Sequence, residues 1–443
     1  MHTVTSDALG HAMYDAVVVG GGVAGSTSAV SLAKKGLRVL LCEAGLPSNR
    51  RLAGELLHPP ATRTLDELGL LPELEAAGAM PAYGFAIFTP EREKPTMLSY
   101  SEIRGERSTG IALEHASITH ALLTGAKRTP GITVWDDARV LAVEQTEGGN
   151  DVRIQRKSES EARTISTRFV VSAEGRKSKL RSQADIGIRE HTTFRMLGWK
   201  IPNARLPYPG YGHVFVGSHS PVLAYQVSRT ETRVMFEVPL DAPLEVPRSL
   251  LAALPEPFRS DVERGIAEQP RTTARFCGLH PSRVTAEKLA VVGDAGGCVH
   301  PLIASGMSFC ISDAARLANA FSSPTTSVEE AFAKYETSRR QPMFTRSALG
   351  PALVDALCGE GPEFRLVRHG LFRYWDRSMR GRETSLSLLA CRESSLPTLI
   401  REYVTVCGFA MTGMATGVVK PQELPGAAFR LLKKTSGYIR NAA

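Results

Sequence analysis

Cysteine is scarce and scattered in this chain of 443 residues. Seven cysteines lie at positions 42, 277, 298, 310, 358, 391 and 407, which is an odd number, and no two of them form a C-x-x-C pair. A disulfide framework needs paired cysteines, and a zinc site needs closely spaced ones. The distribution therefore argues against both kinds of site. It favours reduced thiols in the cytoplasm, and no metal site is predicted.

Long apolar runs are also missing. No segment holds eighteen strongly apolar residues, so no transmembrane helix is predicted. Residues 1–14 lack the basic and then apolar pattern of a signal peptide. The hydrophobic fraction of 43% and the charged fraction of 22% are those of a globular protein. The length predicts two or three structural units.

Charge is placed unevenly along the chain. The formal net charge is +8, and residues 361–443 hold 13 Lys and Arg against 6 Asp and Glu. Within this range, residues 403–419 form a run of seventeen uncharged residues. Such a tail suits an anionic membrane surface or an acidic protein partner, and it equally suits a helical cap with a solvated basic face. No nucleic-acid-binding module is recognisable, so no nucleic acid partner is predicted.

The glycine-rich segment near the N-terminus predicts a dinucleotide site. Residues 16–19 have the apolar character of a buried parallel strand, and Gly20, Gly22 and Gly25 follow with the spacing G-x-G-x-x-G. The first glycine allows the tight turn, the second lets a pyrophosphate approach, and the third lets helix pack on strand. The next predicted strand ends at Glu43, 23 residues after Gly20. A carboxylate at that distance reaches ribose hydroxyls.

A second glycine-rich stretch, residues 291–307, lies about 270 residues further on. Its pattern predicts a buried strand, then Asp294, then a turn that opens a helix. A dinucleotide needs both a carboxylate for a hydroxyl and bare backbone near its phosphates. We therefore expect the two stretches to meet in space and to form one site.

Four segments together resemble a known enzyme family. Residues 51–59 resemble an Arg-x-x-Gly-Glu-x-x-Gln-Pro motif, residues 173–181 an Asp-Gly motif, and residues 293–307 a Gly-Asp motif that ends in His-Pro-Leu and Gly-Met. Residues 220–234 resemble a substrate-binding sheet. These motifs are similar to those of FAD-dependent monooxygenases of the para-hydroxybenzoate hydroxylase fold, and within that fold to squalene monooxygenases (squalene epoxidases).

The resemblance implies an α/β fold with a discontinuous Rossmann-type FAD-binding domain. An inserted, mostly antiparallel β domain would bind the substrate, and a basic helical region would end the chain. The predicted divisions are residues 1–80, 114–185 and 285–346 for the FAD-binding domain, 81–113 and 186–284 for the substrate domain, and 347–443 for the C-terminal helical region.

The resemblance also assigns residues to the site. Asp294 would bind the ribitol or pyrophosphate region, and Gly306 and Met307 would lie beside the isoalloxazine at a helix N-terminus. Arg51 would approach FAD or remain a surface residue, and His300 would act on the flavin or be a hydrogen-bonded core residue. The implied cofactor-binding residues are Gly20, Gly22, Val23, Ala24, Gly25, Glu43, Ala44, Arg51, Leu56, Asp294, Gly306 and Met307. The candidate catalytic residues are His58, Tyr83, Phe85 and His300.

The chain departs from the family pattern at several of these positions. These departures are expected to leave FAD binding intact and to change the lining of the active site, so squalene itself is not assured as substrate. The altered positions are His58 for glutamine, Phe85 for a tyrosine with Tyr83 two residues away, Ala116 or Ser117 for a flavin-contacting arginine, and Glu174 for the aspartate of the Asp-Gly motif.

The implied reaction inserts one oxygen atom from O2 through a flavin C4a-hydroperoxide. NAD(P)H would be the reductant, used directly or through a separate flavin reductase. The apolar strands of the substrate domain favour epoxidation of an alkene in an apolar terpenoid, prenylated aromatic or polyene. The apolar residues proposed for this lining are Phe215, Val222, Leu223, Tyr225, Val234, Met235 and Phe236, of which alternation would leave about half in the sheet's own core.

Other activities fit parts of the pattern. An aromatic hydroxylase of the same fold would act on a phenol, quinolone or polyketide. A flavin-dependent halogenase is suggested by residues 198–202, which partly match W-x-W-x-I-P although Leu197 replaces a tryptophan. A geranylgeranyl-reductase-like flavoprotein and a FAD-binding carrier without turnover also remain open. The expected location is the cytoplasm, with peripheral membrane contact as the open alternative.

Overall fold

A computed structural model describes residues 14–46, 52–216, 220–415 and 417–442. Within these ranges the strands form three sheets. The strands, in chain order, are β1 (Tyr14–Val19), β2 (Val39–Cys42), β3 (Leu56–Leu57), β4 (Met80–Ala82), β5 (Gly84–Phe88), β6 (Thr96–Ser99), β7 (Gly110–Ala112), β8 (Ile132–Trp135), β9 (Ala138–Thr146), β10 (Gly149–Arg156), β11 (Arg163–Ser172), β12 (Ile188–Pro202), β13 (Tyr211–Val216), β14 (Pro221–Gln226), β15 (Glu231–Val238), β16 (Thr272–Pro281), β17 (Thr285–Ala286) and β18 (Leu289–Val291).

The helices pack against these sheets and dominate the last third of the chain. In chain order they are α1 (Val23–Ala33), α2 (Pro59–Glu67), α3 (Leu71–Ala76), α4 (His115–Arg128), α5 (Lys179–Gln183), α6 (Arg248–Ala252), α7 (Phe258–Glu268), α8 (Gly306–Ala320), α9 (Val328–Cys358), α10 (Pro362–Arg377), α11 (Met379–Leu389), α12 (Leu396–Ala415) and α13 (Leu424–Ala442). Single 3-10 turns are formed by Tyr100–Glu102, Gly293–Gly296, Pro301–Ile303 and Pro421–Glu423.

The first sheet carries both glycine-rich turns at one edge. Its strands run in the order β17-β18-β11-β1-β2-β8, and the neighbours from β18 to β8 are parallel. Val18 faces helices α1, α4 and α8, while Val17 faces the side covered by the antiparallel strands β9 and β10. Because both faces are covered, the strand residues form a continuous apolar run, as expected for a parallel sheet. The Rossmann-type part of the predicted fold is confirmed.

The second sheet has two apolar faces with different neighbours. Its order is β16-β12-β15-β14-β13-β5-β6, and every pair is antiparallel except β13 and β5. Alternate side chains point to opposite faces of a strand. Trp199, Phe215 and Phe236 therefore pack against α6 and α7 on the outer face. Leu223 and Met235 face inward, toward the FAD-binding part and the C-terminal helices.

A short third sheet joins β3, which follows the first βαβ unit, to strands β4 and β7 on either side of β5 and β6 in the chain. Strand β7 pairs on one side with β3 and on the other with β4. Of the predicted substrate segment 81–113, only β5 and β6 enter the second sheet. Strands β4 and β7 at the two ends of this segment form the third sheet with β3 instead.

The C-terminal region is helical and covers the inner face of the second sheet. Helix α9 runs without interruption through the predicted division at 346/347. Ion pairs fasten the tail to the β domain, including Arg382 with Glu102 and Asp376 with Arg92. Over the ranges the structure describes, none of the helices combines the length and apolar character needed to cross a bilayer. The tail is thus a set of helices docked on the β domain.

Candidate active site

The first glycine turn connects β1 to α1 and is held by close backbone packing. Gly20 has a φ of +105°, and its N–H donates to the carbonyl oxygen of Cys42 at 2.8 Å. A Cβ on Gly20 would lie 2.6 Å from the carbonyl oxygen of Ala173, and a Cβ on Gly25 would lie 1.7 Å from the carbonyl oxygen of Gly20. The fold therefore requires glycine at these two positions.

Gly22 is different, because nothing in the fold needs the space beside it. It is the N-cap of α1, and a Cβ there would meet no atom within 4 Å. The first turn of α1, which contains Val23 and Ala24, presents N–H groups that have no partner within the helix. A helix N-terminus with open space in front of it fits a phosphate group. This is where the pyrophosphate of FAD would lie.

Glu43 follows β2 and has its carboxylate already oriented. The Gly21 N–H donates to Oε2 at 2.6 Å, and the Gly45 N–H donates to Oε1 at 2.6 Å. These bonds hold the carboxylate at the rim of the glycine turn, beside the half-buried Ala44. The position fits a carboxylate that accepts hydrogen bonds from the adenosine ribose.

The second glycine turn packs directly on the first. A Cβ on Gly293 would lie 2.6 Å from the Cβ of Ala24, so segments about 270 residues apart are in contact here. The stretch opens into helix α8 as predicted, but not directly after the glycines. Two 3-10 turns intervene, because Pro301 lacks an N–H and Ala304 adopts a left-handed conformation with φ of +49°. Helix α8 begins only at Gly306.

The groups around the start of α8 leave room for the rest of the cofactor. A Cβ on Gly306 would meet no atom within 4 Å, whereas the Met307 side chain packs against Gly54. Asp294 is half-buried, and in the described part of the chain no donor is bonded to its carboxylate. The open helix N-terminus and the free carboxylate fit the flavin and ribitol portions of FAD. The residues present therefore fit the ribose, the pyrophosphate and the ribitol and flavin portions of FAD.

His58 lies at the start of α2 in a fully buried cluster. Burial lowers the pKa of His58 from 6.5 to about 4, so the imidazole is neutral. Desolvation raises the pKa of Tyr100 well above its usual value, so its hydroxyl remains protonated. The hydroxyl donates to Nδ1 of His58 at 2.6 Å, and Nε2–H points to the carbonyl oxygen of Ile303 at 3.4 Å. His58 is thereby fixed as the Nε2–H tautomer.

Phe85 joins this cluster and leads into an apolar cavity. Its ring centroid lies 6.0 Å from that of His58 and 6.0 Å from that of Tyr100. The cavity is small, with room for little more than a water molecule in this structure. Its walls come from the inner face of the second sheet, the loop before α8, and the tail helices. The side chains around it are Phe85, Ile87, Leu98, Val214, Leu302, Leu353, Leu357, Trp375 and Leu389.

His300 lies near the flavin site with both ring nitrogens engaged. The Leu302 N–H donates to Nδ1 at 3.2 Å, and Nε2 lies 3.3 Å from a carboxylate oxygen of Glu237. The ring packs against Phe194 and Phe276, with centroids 4.7 and 5.5 Å away. These surroundings are those of a hydrogen-bonded core residue, which was the second of the two interpretations.

The remaining predicted residues fall in different places. Tyr83 is 40% exposed and packs on Tyr211 and Gly210, so the structure does not bring it to the His58 cluster. Leu56 lies in β3 and is buried in the same apolar cluster as Phe85 and Trp375. Arg51 lies outside the described residues.

A buried ion pair escaped the sequence analysis. Arg233 on β15 donates to both oxygens of Glu55, with distances of 2.9 and 2.7 Å, and the Tyr225 hydroxyl donates to the same carboxylate at 3.2 Å. Both charged side chains are almost fully buried. The pair joins the FAD-binding segment to the inner face of the substrate sheet. Its signal was partly visible, because Glu55 belongs to the quoted motif, but its partner lies 178 residues away.

The halogenase-like segment belongs to the packing of the second sheet. Leu197, Trp199 and Ile201 lie in the core between that sheet and α7. Lys200 pairs with Glu114 and Glu231 at 3.1 and 3.6 Å. The tryptophan of this segment thus serves the core on the face away from the flavin site.

Comparison with known proteins agrees with this site. The FAD binding domain family matches residues 13–345. Squalene epoxidase erg1 of Aspergillus fumigatus is 25% identical over 388 residues, which cover 83% of this chain and 80% of that protein. Squalene epoxidase 1 of Arabidopsis thaliana is 26% identical over 463 residues, covering 99% and 85% of the two chains.

Among solved structures, p-nitrophenol 4-monooxygenase PnpA of Pseudomonas putida DLL-E4 shares the fold, with a TM-score of 0.71 and 18% identity over 86% of this chain and 99% of that one. The matched range contains both glycine turns, Glu43, Asp294 and the start of α8, which are the parts that fit FAD. The chain belongs to the FAD binding domain family and is a FAD-dependent monooxygenase of the para-hydroxybenzoate hydroxylase fold, similar in sequence to squalene epoxidases.

Proposed function

We propose that this monooxygenase epoxidises an alkene in an apolar terpenoid, prenylated aromatic or polyene. The observation that carries the proposal is the lining of the cavity beside Phe85, where every described side chain is apolar. Such a lining desolvates hydrocarbon favourably and offers no partner to a polar substrate. The sequence similarity to squalene epoxidases over most of the chain supports the same reaction class.

FAD, when bound, supplies the activated oxygen, and the protein orients the substrate and excludes water. The inner face of the second sheet forms the floor beneath an alkene, through residues such as Val214 and Leu98. Leu353, Leu357 and Trp375 form a roof that excludes water. Leu302, which lines the cavity, lies on the loop that leads into Gly306 at the start of α8. Exclusion of water and a fixed approach are the contributions that an oxygen-transferring cofactor needs from its protein.

The polar groups beside the cavity favour an alkene over a phenol. Hydroxylation of a phenol is assisted by a base that removes the phenolic proton. His58 and Tyr100 are both titratable and both contact Phe85, but the Nδ1 of His58 already accepts from the Tyr100 hydroxyl, and burial keeps that hydroxyl protonated. The pKa of His58, which burial lowers to about 4, also makes it a weak base. Epoxidation of an alkene needs no such proton removal.

The reductant and the location are part of the same proposal. NAD(P)H delivers the electrons, directly or through a separate flavin reductase. Helix α12 exposes Ile400, Val404 and Met411 along one face, and α13 exposes Phe429. With the basic residues of the tail nearby, such as Arg401, this face would suit peripheral contact with an anionic membrane that carries an apolar substrate.

Product analysis tests the proposed reaction. FAD-loaded protein is incubated with isotopically labelled O2, NAD(P)H, a generic flavin reductase, and one of squalene, a farnesylated aromatic, a polyene or a simple phenol. The expected product is a substrate with one labelled oxygen at a former double bond. Turnover of the phenol alone would remove the epoxidase assignment, and a product with added halogen or with two added hydrogens would identify one of the other flavoenzyme classes.

A matched pair of variants links the product to the cavity. Leu357→Phe fills the roof and should reduce turnover of the apolar substrate, while FAD binding and flavin reduction remain normal. Val404 lies on the exposed face of α12. The Val404→Asp variant should therefore turn over a detergent-solubilised substrate normally but no longer float with anionic vesicles. Unchanged turnover in Leu357→Phe would show that the substrate binds elsewhere.

A further inference from the structure

Arg346 is a buried cation for which the described chain provides no anion. It lies on α9 and is 4% exposed. Its Nε donates to Ser305 Oγ at 3.2 Å, and its guanidinium lies over the ring of Phe309 at 3.9 Å from the centroid. Its Nη1 is buried without a hydrogen-bond partner. A buried charge in this condition is costly to the fold.

The acidic groups around Arg346 do not neutralise it. Asp313 is held by the buried Arg339, whose Nε lies 2.9 Å from both carboxylate oxygens. Asp294 also acts on the nearby Cys310 thiol, but it forms no ion pair with Arg346 in the described ranges. The positive charge of Arg346 therefore remains uncompensated within the described protein.

The location makes the charge more unusual. Ser305 is the N-cap of α8, and its hydroxyl receives the Arg346 hydrogen bond and makes no side-chain bond to the helix backbone. A helix N-terminus carries partial positive charge, so a cation beside it is unfavourable. Two positive sources thus converge next to Gly306, where a Cβ would meet open space. The arrangement is suited to receiving negative charge from a bound group.

We propose that Arg346 is a positioning residue that makes the bound flavin easier to reduce. Acting through Ser305 and together with the N-terminus of α8, it would stabilise the negative charge that the isoalloxazine carries when FAD is reduced. Nothing in the sequence patterns pointed to this residue, because it lies outside the matched motifs. The proposal rests on FAD binding and is independent of which substrate is oxidised.

The test is the reduction equilibrium of the bound flavin. FAD-loaded wild type, Arg346→Met and Arg346→Lys are equilibrated anaerobically with a reference dye during slow reduction, and both spectra are followed. We expect Arg346→Met to disfavour two-electron reduction by about tenfold or more, which corresponds to a potential lowered by about 30 mV. Arg346→Lys can restore a positive charge when the reduced flavin is bound but loses the planar stacking on Phe309, so its equilibrium should lie between those of wild type and Arg346→Met.

A control and a second readout separate this role from a structural one. Arg316 lies over the same Phe309 ring at 5.8 Å and bonds to Ser312, so Arg316→Met removes a similar contact away from Ser305. Its reduction equilibrium should match wild type. A pH titration of the reduced enzyme should show the flavin anion forming at higher pH in Arg346→Met than in wild type.

The proposal is overturned if Arg346→Met binds FAD and has the wild-type reduction equilibrium. If that variant does not retain FAD, Arg346→Gln replaces it, since glutamine is neutral and still reaches Ser305. An unchanged equilibrium in Arg346→Gln overturns the proposal in the same way. Failure to find epoxide product would leave these measurements unaffected and would count only against the proposed reaction.

Discussion

Two buried histidines should make the enzyme lose stability in mild acid. Desolvation lowers the pKa of His58 and of His213 from 6.5 to about 4 in the folded protein. In the unfolded chain each imidazole takes up a proton near its ordinary pKa. The unfolded state therefore binds more protons between these values. Stability is complete above about pH 6.5 and falls as the pH decreases toward about 4.

The size of the effect follows from the two pKa values. Each histidine contributes about 3 kcal/mol across the whole interval, and about 2 kcal/mol of this is lost by about pH 5. Asp261 does not interfere, because hydrogen bonds from Arg205 lower its pKa to about 2. Its contribution is present above its ordinary pKa and is lost only as the pH falls from there toward 2.

His58→Gln isolates one of these contributions. A glutamine amide can still accept from the Tyr100 hydroxyl but takes up no proton. Urea unfolding of the FAD-loaded proteins is measured at about pH 8 and about pH 5 by far-ultraviolet circular dichroism. On going from about pH 8 to about pH 5, the variant should lose about 2 kcal/mol less free energy of unfolding than wild type loses. His213→Gln should show a difference of similar size.

Tyr100→Phe is the matched control for the lost hydrogen bond. It removes the hydroxyl at 2.6 Å from His58 but retains the imidazole. Its destabilisation should be nearly equal at the two pH values, since the titrating group is still present. If wild type and His58→Gln lose stability in parallel on acidification, the buried neutral imidazole is not the source of the acid sensitivity.

Three further outcomes follow from the described contacts. Gly22→Ala should fold and bind FAD at least about tenfold more weakly, whereas Gly25→Ala should fail to fold, because its Cβ would overlap a carbonyl oxygen; FAD titration and circular dichroism distinguish the two, and normal FAD affinity in Gly22→Ala would contradict the site. Glu55→Gln and Arg233→Met should each cost about 3–5 kcal/mol in urea unfolding, and their double variant less than the sum; strict additivity would show that the pair is not coupled. Trp375→Ala should cost about 3–5 kcal/mol and shift turnover toward bulkier substrates in competition assays; an unchanged substrate preference would remove Trp375 from the cavity roof.

The local parts of the site were predictable from the sequence. Gly20, Gly22, Gly25 and Glu43 form a continuous βαβ unit, so their spacing alone sets their geometry. Asp294 required one further step, namely that a second buried strand lies in the same sheet. Strand β18 does lie there, next to β11.

Other parts depended on tertiary contacts that no local pattern carries. The apolar residues of β14 and β15 alternate, but alternation does not say which face meets the cavity. The structure places Leu223 and Met235 on the inner face and Val222 and Phe236 on the outer one. His58 likewise needed its partner Tyr100, which is 42 residues away and not part of any matched motif.

The tail shows why its surface role must be tested by point substitutions. Helix α9 carries Arg346 beside Ser305, and seven and eleven residues later it carries Leu353 and Leu357 in the cavity roof. At a rise of about 1.5 Å per residue, these contacts lie roughly 10 and 16 Å further along one helix. Deleting the chain from residue 347 would therefore remove Leu353, Leu357 and Trp375 and open the cavity. Loss of activity in such a deletion would say nothing about membranes or reductases, whereas substitutions at Val404 address the exposed face alone.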